Sequence, residues 1–368
     1  MTRNRVVTTR HTAAVPDLDH WRTHRVMRRR TALLTLATAA TLALTACGDG
    51  SLEATGKLDP DKLTIYSAQH ENLTQAWAKA FQDKTGVKVQ IRYGGDSSMG
   101  NQLVQEGAKS PADVFLTENS PAMTTVADDG LLAKVDDSTI AQVGKPYAPS
   151  THEWVGIAAR STVLVYNPSK ISEAELPASI MDLQDPKWKG KWGAAAGGAD
   201  FQAIVSAILE LEGEAKAKTW LQGLKDGAKI YQNNIATMKA VNAGQVPMGI
   251  IYHYYWYRDQ ALTKAGSKNT KLHYFKNQDP GAFVSLSGGA VLKSSKHAAN
   301  AQKFLAFVTG PEGQKILATS DAKEYAVGVG VASDPALPPL ASLQAPDIDP
   351  FKLNGPKVIE LMTQVGIL

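Results

Sequence analysis

The sequence holds a single cysteine, Cys47, among its 368 residues. One thiol cannot form an internal disulfide, and it leaves no Cys-x-x-Cys pair for redox chemistry or zinc binding. The sequence also lacks His-Glu-x-x-His, a Gly-x-x-x-x-Gly-Lys-Ser/Thr phosphate loop and a nucleophile elbow. Residues 327–330, Val-Gly-Val-Gly, lack the third glycine of a dinucleotide site. None of these enzyme signatures is complete, and we expect the protein not to be an enzyme.

An excess of charge is also missing once the N-terminal leader is set aside. The formal net charge is +4, but residues 1–46 hold eight Arg and two Asp, and the rest of the chain has 31 basic and 33 acidic residues. This balance indicates no basic surface for nucleic acid. With 43% hydrophobic and 20% charged residues the composition is globular, and the length indicates two lobes.

A membrane-spanning run is missing too. Residues 31–46 are uncharged and rich in Leu, Ala and Thr, but sixteen residues fall short of the roughly 20 that a spanning helix needs. Three arginines at 28–30 precede the run and small residues end it, which is typical of an export signal. We therefore predict that residues 1–46 are removed. Residues 1–26 resemble neither signal nor domain, so Met27 is an alternative start, and the paired arginines allow a twin-arginine exporter.

The leader ends in the tetrad Leu44-Thr45-Ala46-Cys47. This tetrad resembles the lipobox of bacterial lipoproteins, in which the cysteine becomes the lipidated first residue of the mature chain. The resemblance implies that Cys47 anchors the protein to the outer face of the cytoplasmic membrane, with residues 47–60 as a linker. The alternative is a lone thiol without a lipid.

The hydrophobic pattern predicts an α/β fold. Residues 63–66 indicate a buried strand, apolar residues recur at helical spacing over 73–81, and residues 87–91 alternate as a second strand. Strand, helix and strand in this order form a βαβ unit, which requires a parallel sheet. A second unit is predicted from a helix at 99–106 and a strand at 112–116.

The remaining chain begins with two apolar strands, residues 155–159 and 163–166, without a helix between them. We expect these strands to carry the chain from one lobe to the other. Further helices are predicted at 200–212, 214–224, 234–243 and 298–309, and further strands at 248–251 and 282–285. The predicted lobe 1 comprises residues 61–160 plus 285–330, and lobe 2 comprises residues 161–284 plus 331–368.

Polar and aromatic side chains follow three of the predicted strands. His70 follows the first strand, Glu118 follows the strand at 112–116, and Tyr254 and Tyr255 follow the strand at 248–251. Because open parallel sheets bind ligands at the carboxyl ends of their strands, these side chains are candidates for one site. Taken singly, each also fits an ordinary role as a helix start, a solvated carboxylate or a packed aromatic flank.

The chemistry of this candidate site follows from residues 252–257, which contain four tyrosines, one histidine and one tryptophan. Two neighbouring phenols at a helix start lie about 100° apart, close enough to converge on one atom. A phenol with a pKa of about 10 loses its proton at neutral pH mainly to a strong cation, of which ferric ion is one. Two phenolates, the Glu118 carboxylate and the His70 imidazole would offer four ligands, with three negative charges against the 3+ ion.

An octahedral ferric ion would keep two positions open for an anion. Residues 197–201, Gly-Gly-Ala-Asp-Phe, form a small-residue turn into a helix, where Gly198, Ala199 and Asp200 could hold an anion at the free amides. Asn234, at another predicted helix start, could donate its side-chain amide to the same anion. The alternative is an ordinary loop with Asp200 as the helix cap.

Several stretches agree in order with one known family. They are residues 69–70, 110–115 with Glu118, 186–189, 240–241 with Gly244, 254–257 and 278–282. On these stretches the mature chain resembles the ferric-ion-binding proteins of bacterial ABC importers, the bacterial transferrin group, over most of residues 63–330. The agreement of several stretches in order is more specific than any single motif.

The resemblance implies a type II periplasmic-binding-protein clamshell, in which hinge strands join two lobes, each a mainly parallel sheet flanked by helices. It places the ferric ligands on His70, Glu118, Tyr254 and Tyr255, and a synergistic anion such as phosphate or carbonate near residues 198–200 and Asn234. It also implies delivery of ferric iron to an ABC permease. We expect an exported monomer.

The sequence departs from the family at two positions. Gly198 stands where the family commonly has serine, and Tyr252 where it commonly has asparagine. Both positions touch the implied anion pocket. Tyr252 or His253 is therefore a candidate for an extra metal ligand.

Two other functions stay open at this point. The same clamshell could hold an organic solute, such as a polyamine, a sugar or an organophosphate, against the aromatic cluster. An exported iron metalloenzyme is a more remote alternative, because such sites usually need two histidines, and only His253 lies near the tyrosines among the five histidines beyond the leader. A visible band from a ferric phenolate would separate iron from an organic solute, and oxygen uptake would indicate an enzyme.

Overall fold

The computed structural model describes residues 52–54, 56–148, 150–350 and 353–368. The predicted export signal, residues 1–46, and the predicted lipid anchor Cys47 lie outside the described residues. Within the described ranges, no helix is both long enough and apolar enough to cross a membrane.

Strands and helices alternate along the described chain. The strands are β1 Leu63–Ser67, β2 Val89–Tyr93, β3 Val114–Leu116, β4 Val155–Tyr166, β5 Trp192–Ala194, β6 Lys229–Ile230, β7 Met248–Tyr252, β8 Lys271–His273 and β9 Val284–Val291. The α-helices are α1 Glu71–Thr85, α2 Asp96–Glu106, α3 Ser120–Asp128, α4 Asp137–Ile140, α5 Ala199–Glu212, α6 Glu214–Gly227, α7 Asn234–Asn242, α8 His253–Leu262, α9 Ala298–Thr309, α10 Pro311–Thr319 and α11 Gly355–Val365.

The first βαβ unit forms as its hydrophobic pattern predicts. Leu73, Trp77 and Phe81 are four residues apart, so α1 presents them on one face, and all three are buried. Gly86 ends the helix in the left-handed conformation, with φ of 76°, which glycine adopts without a steric penalty. The chain then returns as β2, which pairs in parallel with β1.

The strands form one sheet in the order β2-β1-β3-β9-β4-β7-β5-β6, with β8 also paired to β4. At the ends of this order the pairs are parallel, β1 with β2 and β3, and β5 with β6 and β7. In the middle, β9 and β4 run antiparallel to their neighbours. This is the predicted α/β class, with two mainly parallel halves joined through β4 and β9.

The two apolar strands predicted at 155–159 and 163–166 are one continuous strand, so the prediction of a break was wrong. Residues 155–161 of β4 pair with β9, and residues 162–166 pair with β7. The predicted break was a polar trio, Arg160, Ser161 and Thr162, all of which are fully buried. A polar run normally marks an exposed turn, but here the Arg160 side chain bonds to Ser287 and Glu324 in the interior.

Two main hydrophobic cores lie on either side of this crossing. The first contains Trp77 and Trp154 and draws on β1 to β3, the start of β4 and α9. The second contains Trp192 and Trp220 and draws on the end of β4, β5, α5, α6 and α11. We call the parts built on these cores the first half and the second half.

The lobe boundaries expected from the sequence stay a prediction. Along the chain, buried residues leave the first core after residue 159 and belong to the second half from residue 163 to residue 283. They return to the first core at residue 286, so both changes lie near the predicted 160/161 and 284/285 boundaries. Leu337 and Leu343 pack in the first core, although residues 331–368 were assigned to lobe 2. In the predicted linker, residues 52–54 pair with β2, since Ile91 N donates to Leu52 O and Ala54 N donates to Ile91 O.

Candidate metal centre

The four predicted ligands all lie where a strand has just ended. His70 is the residue before α1, after β1, and Glu118 follows β3. Tyr254 and Tyr255 are the second and third residues of α8, directly after β7. Two ligands therefore belong to the first half and two to the second half, at the carboxyl ends of parallel strands in both cases.

The structure brings these four side chains together. His70 Nδ1 lies 3.1 Å from Glu118 Oε1. The His70 ring contacts the Tyr254 ring edge-on, with 5.1 Å between centroids, and the Tyr254 and Tyr255 rings stack at 4.1 Å. The side chains of His70 and Glu118 are 16% and 22% exposed, so the first half keeps a narrow path from solvent to the cluster.

The predicted metal site draws half of its donors from phenol oxygens. Among the described residues, no group of three or more His, Cys, Asp or Glu side chains is placed to hold a metal ion. His70 and Glu118 supply two donors, and the other candidates are the hydroxyls of Tyr254 and Tyr255. A centre with this donor set favours a hard cation that can displace phenol protons.

Asp200 points its carboxylate into the cluster and does not cap α5, whose N-cap is Gly198. Asn119 Nδ2 donates to Asp200 Oδ1 at 2.9 Å, and Asn234 Nδ2 donates to Asp200 Oδ2 at 2.7 Å. The hydroxyl of Tyr255 also donates to Oδ2, at 2.9 Å, and the Tyr252 hydroxyl donates to the backbone oxygen of Asp200 at 3.3 Å. A protein carboxylate thus engages Asn234, the side-chain donor that the sequence analysis assigned to an anion.

The predicted anion pocket of Gly198, Ala199, Asp200 and Asn234 is therefore only partly as expected. Gly198 precedes α5 and Ala199 begins it, so the helix start lies beside the tyrosines as predicted. The Asn234 amide, however, is already engaged by Asp200. Whether an external anion binds at this helix start stays a prediction.

The two candidates for an extra ligand have structural contacts. Tyr252 is fully buried behind Tyr254, with 6.5 Å between ring centroids. His253 Nδ1 accepts from the Ser161 backbone N–H at 3.1 Å, and its ring stacks on Tyr325 at 4.6 Å. The structure thus uses His253 to pack α8 against β4, and a ligand role for either residue stays a prediction.

Sequence reasoning missed two charged residues in the site, Arg160 and Glu324. Both side chains are fully buried, and Arg160 Nη2 donates to Glu324 Oε1 at 2.6 Å. Glu324 Oε1 also lies 2.9 Å from His70 Nε2, as a close contact rather than a well-aligned hydrogen bond. Arg160 could have been noticed as a charge inside an apolar strand, whereas Glu324 carries no signal in its local sequence.

Burial favours the protonated forms of three of the predicted ligands. Burial and the nearby Asp200 carboxylate raise the pKa of Tyr254 and of Tyr255 well above the usual phenol range. Burial also raises the pKa of Glu118 to about 8, although the charges of Arg160 and His70 oppose it. The Tyr254 and Tyr255 hydroxyls and the Glu118 carboxyl therefore favour their protonated forms at neutral pH, and a cation that binds them must displace these protons.

The pKa of Glu324, the buried carboxyl next to His70, is shifted in the opposite direction to that of Glu118. Burial alone would raise the pKa of Glu324, but the positive charges of Arg160 and His70 outweigh it and lower that pKa to about 2. For His70, burial would lower the pKa, but Glu324 and Glu118 outweigh it and raise the pKa. Glu324 is thus a permanent carboxylate beneath the site.

Comparison with known proteins identifies the family. Residues 109–354 match the model of the bacterial extracellular solute-binding protein family. The chain is 58% identical to an Fe(3+)-binding periplasmic protein of Serratia marcescens, over 83% of this chain and 90% of that protein. It is 37% identical to the major ferric iron-binding protein of Neisseria meningitidis serogroup B, over 83% of this chain and 93% of that protein.

A solved structure agrees with these relatives. Iron-bound HitA from Pseudomonas aeruginosa superimposes with a TM-score of 0.77 at 48% identity, covering 83% of this chain and 99% of that one. The match extends over both halves and confirms the two-lobed clamshell predicted from the sequence. The chain therefore belongs to the bacterial extracellular solute-binding protein family, in its group of periplasmic ferric-ion-binding proteins.

Proposed function

We propose that this protein captures ferric iron outside the cytoplasm and delivers it to the permease of an ABC importer. The observation that carries the proposal is the convergence of His70 and Glu118 from the first half with Tyr254 and Tyr255 from the second half. Relatives at 58% and 37% identity are named for ferric iron binding, which supports the same cargo here.

The state of Tyr254 supports a cation as the cargo. Its hydroxyl is fully buried and has no well-aligned hydrogen-bond partner among the described residues. A buried polar group without a partner is costly and calls for an explanation, and a bound ion is one such explanation. A cation that turns this phenol into a ligand would satisfy the oxygen and remove the cost.

The charges at the site favour a trivalent ion. Two phenolates and the Glu118 carboxylate balance three positive charges, and Asp200 adds a fourth negative group 2.9 Å from the Tyr255 hydroxyl. A structure of a Trichodesmium relative contains iron with citrate, so an accompanying anion is expected at the start of α5. In this chain Asp200 competes for that position, since it already holds the Asn119 and Asn234 amides.

Capture of this kind requires no covalent chemistry by the protein. The cation reaches all four ligands only when the halves are together, so binding energy favours the closed form that a permease can recognise. We propose a monomer held by a lipid on Cys47. Mass spectrometry of the mature protein from membranes should find that lipid on an N-terminal cysteine, and an unmodified or differently processed N-terminus would refute the anchor.

The deciding experiment is a titration of the metal-free protein with ferric nitrilotriacetate, followed by absorption spectroscopy and metal analysis. We expect one iron per chain and a visible band from the phenolate-to-iron transition, both lost on prolonged chelation. A colourless protein, or iron without the band, would refute the tyrosine site. Co-purification of an organic solute without metal would support the organic alternative instead.

A further inference from the structure

A buried network lies directly beneath His70. Glu324 Oε1 is 2.9 Å from one ring nitrogen of His70, and the other ring nitrogen faces Glu118. The Glu324 side chain is fully buried, whereas that of Glu118 is 22% exposed. One side of the imidazole is thus fixed in the interior, and the other faces the cluster.

Glu324 itself is held from two further directions. Its Oε1 accepts from Arg160 Nη2 at 2.6 Å, and its Oε2 accepts from Gln69 Nε2 at 3.3 Å. Ser287 completes the network, since its hydroxyl accepts from Arg160 Nη2 at 2.8 Å and from Gln69 Nε2 at 2.9 Å. Gln69 and His70 are adjacent, so the network holds both the ring and its backbone segment.

Arg160 connects this network to the other ligands. Its Nη1 lies 3.8 Å from Glu118 Oε2, and its guanidinium lies 5.4 Å from the centre of the Tyr254 ring. Nη1 and Nε are fully buried without a hydrogen-bond partner among the described residues. A buried cation in this position favours the ionised forms of Glu118 and Tyr254, which are the forms that bind a metal.

We propose that Glu324, supported by Arg160, is a positioning residue for the metal centre: it fixes the His70 ring so that the nitrogen facing Glu118 is the one presented to ferric ion. The inference rests on the function proposed above. Metal-bound histidines usually donate their second ring N–H to a carboxylate or carbonyl, and loss of such a partner typically costs 10- to 100-fold in metal affinity. Glu324 is fully buried and contacts His70, as that role requires, and it is not one of the four predicted metal ligands.

The test compares ferric affinity, measured by competition with citrate, in the wild type and in Glu324→Gln. The amide keeps the shape but loses the charge next to His70 and Arg160, and we expect affinity to fall about 10- to 100-fold while the visible band persists at saturation. Asp334→Asn is the matched control, because Asp334 pairs with Lys323 next to Glu324 in sequence without contacting the site. We expect its affinity to equal that of the wild type.

The same change in a His70→Ala background separates positioning from general destabilisation. If Glu324 acts through His70, Glu324→Gln should cost almost nothing further once the ring is gone. An undiminished loss in that background would overturn the proposal, as would wild-type affinity in Glu324→Gln.

Glu324→Asp keeps the test decisive if the glutamine variant does not fold. Its shorter side chain keeps the charge near Arg160 but withdraws from His70, so we expect a folded protein with weakened ferric binding. Wild-type affinity in this variant would also overturn the proposal. Failure of the underlying function looks different, because the wild type itself would then show neither iron binding nor the band.

Discussion

Tyr254 and Tyr255 are the residues on which the chemistry of the site depends. Their rings stack at 4.1 Å, and the structure surrounds both hydroxyls with carboxylates, Asp200 and Glu118, which disfavour phenolates in the metal-free state. Such an arrangement is stable only while the phenols keep their protons or a cation replaces them. The pair could be predicted from sequence because two adjacent tyrosines follow an apolar strand.

Phenylalanine substitution tests the pair directly. In Tyr254→Phe and in Tyr255→Phe we expect ferric affinity to fall at least 100-fold and the visible band to be lost or strongly reduced, because each change removes one anionic ligand. Absorption spectra and citrate competition measure both effects. Tyr166→Phe is the control, since Tyr166 is a buried tyrosine that contacts Glu173 in the second half. Full colour in both site variants would contradict the assignment.

Replacing Asp200 tests how strongly ferric affinity at the proposed site depends on an external anion. In Asp200→Ala the Asn119 and Asn234 amides and the start of α5 lose their internal carboxylate. We expect the affinity of this variant for ferric ion to gain far more from added phosphate or carbonate than that of the wild type, because an anion can then bind at the helix start. Titrations with and without each anion measure the gain, and an equal gain in both proteins would refute the expectation.

The buried carboxyls predict an unusual pH dependence of stability. The pKa of Glu118 is raised to about 8 and that of Asp96 to about 6, in both cases mainly by burial, and the pKa of His70 is also raised. Glu118, Asp96 and His70 therefore bind more protons in the folded protein than in the unfolded chain between about pH 4 and 8, and they lose their stabilising effect as the pH rises through that range. His253 opposes them only below about pH 6.5, because burial lowers its pKa to about 3.

We accordingly expect the metal-free protein to melt at a lower temperature at about pH 8 than at about pH 5.5, by roughly 3–6 °C. Iron loading should reverse the sign, because a metal bound by Glu118 and His70 needs both side chains deprotonated. Differential scanning calorimetry of both forms measures the effect, and Glu118→Gln should reduce it in the metal-free form. A metal-free protein that is more stable at the higher pH would contradict the reasoning.

At the scale of elements, the hydrophobic pattern predicted the helices and strands that local interactions determine. The βαβ start, with Leu73, Trp77 and Phe81 on one face of α1, and the helix α9 follow from periodicity alone. The continuity of β4 did not, because the buried Arg160 finds its partners in Ser287 and Glu324, which are far along the chain. Tertiary polar contacts of this kind leave no mark on the local pattern.

The last helix, α11, packs on α5 and α6 and so supports the element that presents Asp200. Leu361 is fully buried in this contact, while Ile359 on the same helix is 43% exposed. We expect Leu361→Ala to lower the free energy of unfolding by about 2–5 kcal/mol, through lost burial and a cavity. Ile359→Ala should change it by less than about 0.5 kcal/mol. Urea unfolding measures both, and equal effects would show that α11 does not pack as described.

At the scale of the whole molecule, the structure shows the two halves in contact. Asn119 of the first half donates to Asp200 of the second half, and the His70 and Tyr254 rings meet across the same boundary. Sequence reasoning predicted two lobes and two pairs of ligands. It could not predict the network that joins them, because Arg160, Ser287 and Glu324 come from separate segments, and only Arg160, a charge between apolar strand residues, stands out in its own segment.

Asn119 provides a test of closure. Asn119→Ala removes a hydrogen bond to a buried carboxylate, which is typically worth about 1.5–3 kcal/mol, so we expect the closed form to be less populated and ferric affinity to fall about 10-fold or more. Small-angle X-ray scattering should show a larger radius of gyration for the metal-free variant than for the metal-free wild type. Asn101→Ala, on the exposed side of α2, is the control. Unchanged scattering and affinity would argue against this contact as a latch.

The division of ligands between the halves has a consequence for unloading. Since one wall carries an imidazole and a carboxylate and the other carries two phenols, any partner that pries the walls apart leaves the ion with half of its donors. In the proposed site, separation of the walls alone would then weaken ferric binding, without reduction of the metal or a fall in pH. The affinity of the proposed site for ferric ion would thus depend on how closely the two walls approach each other.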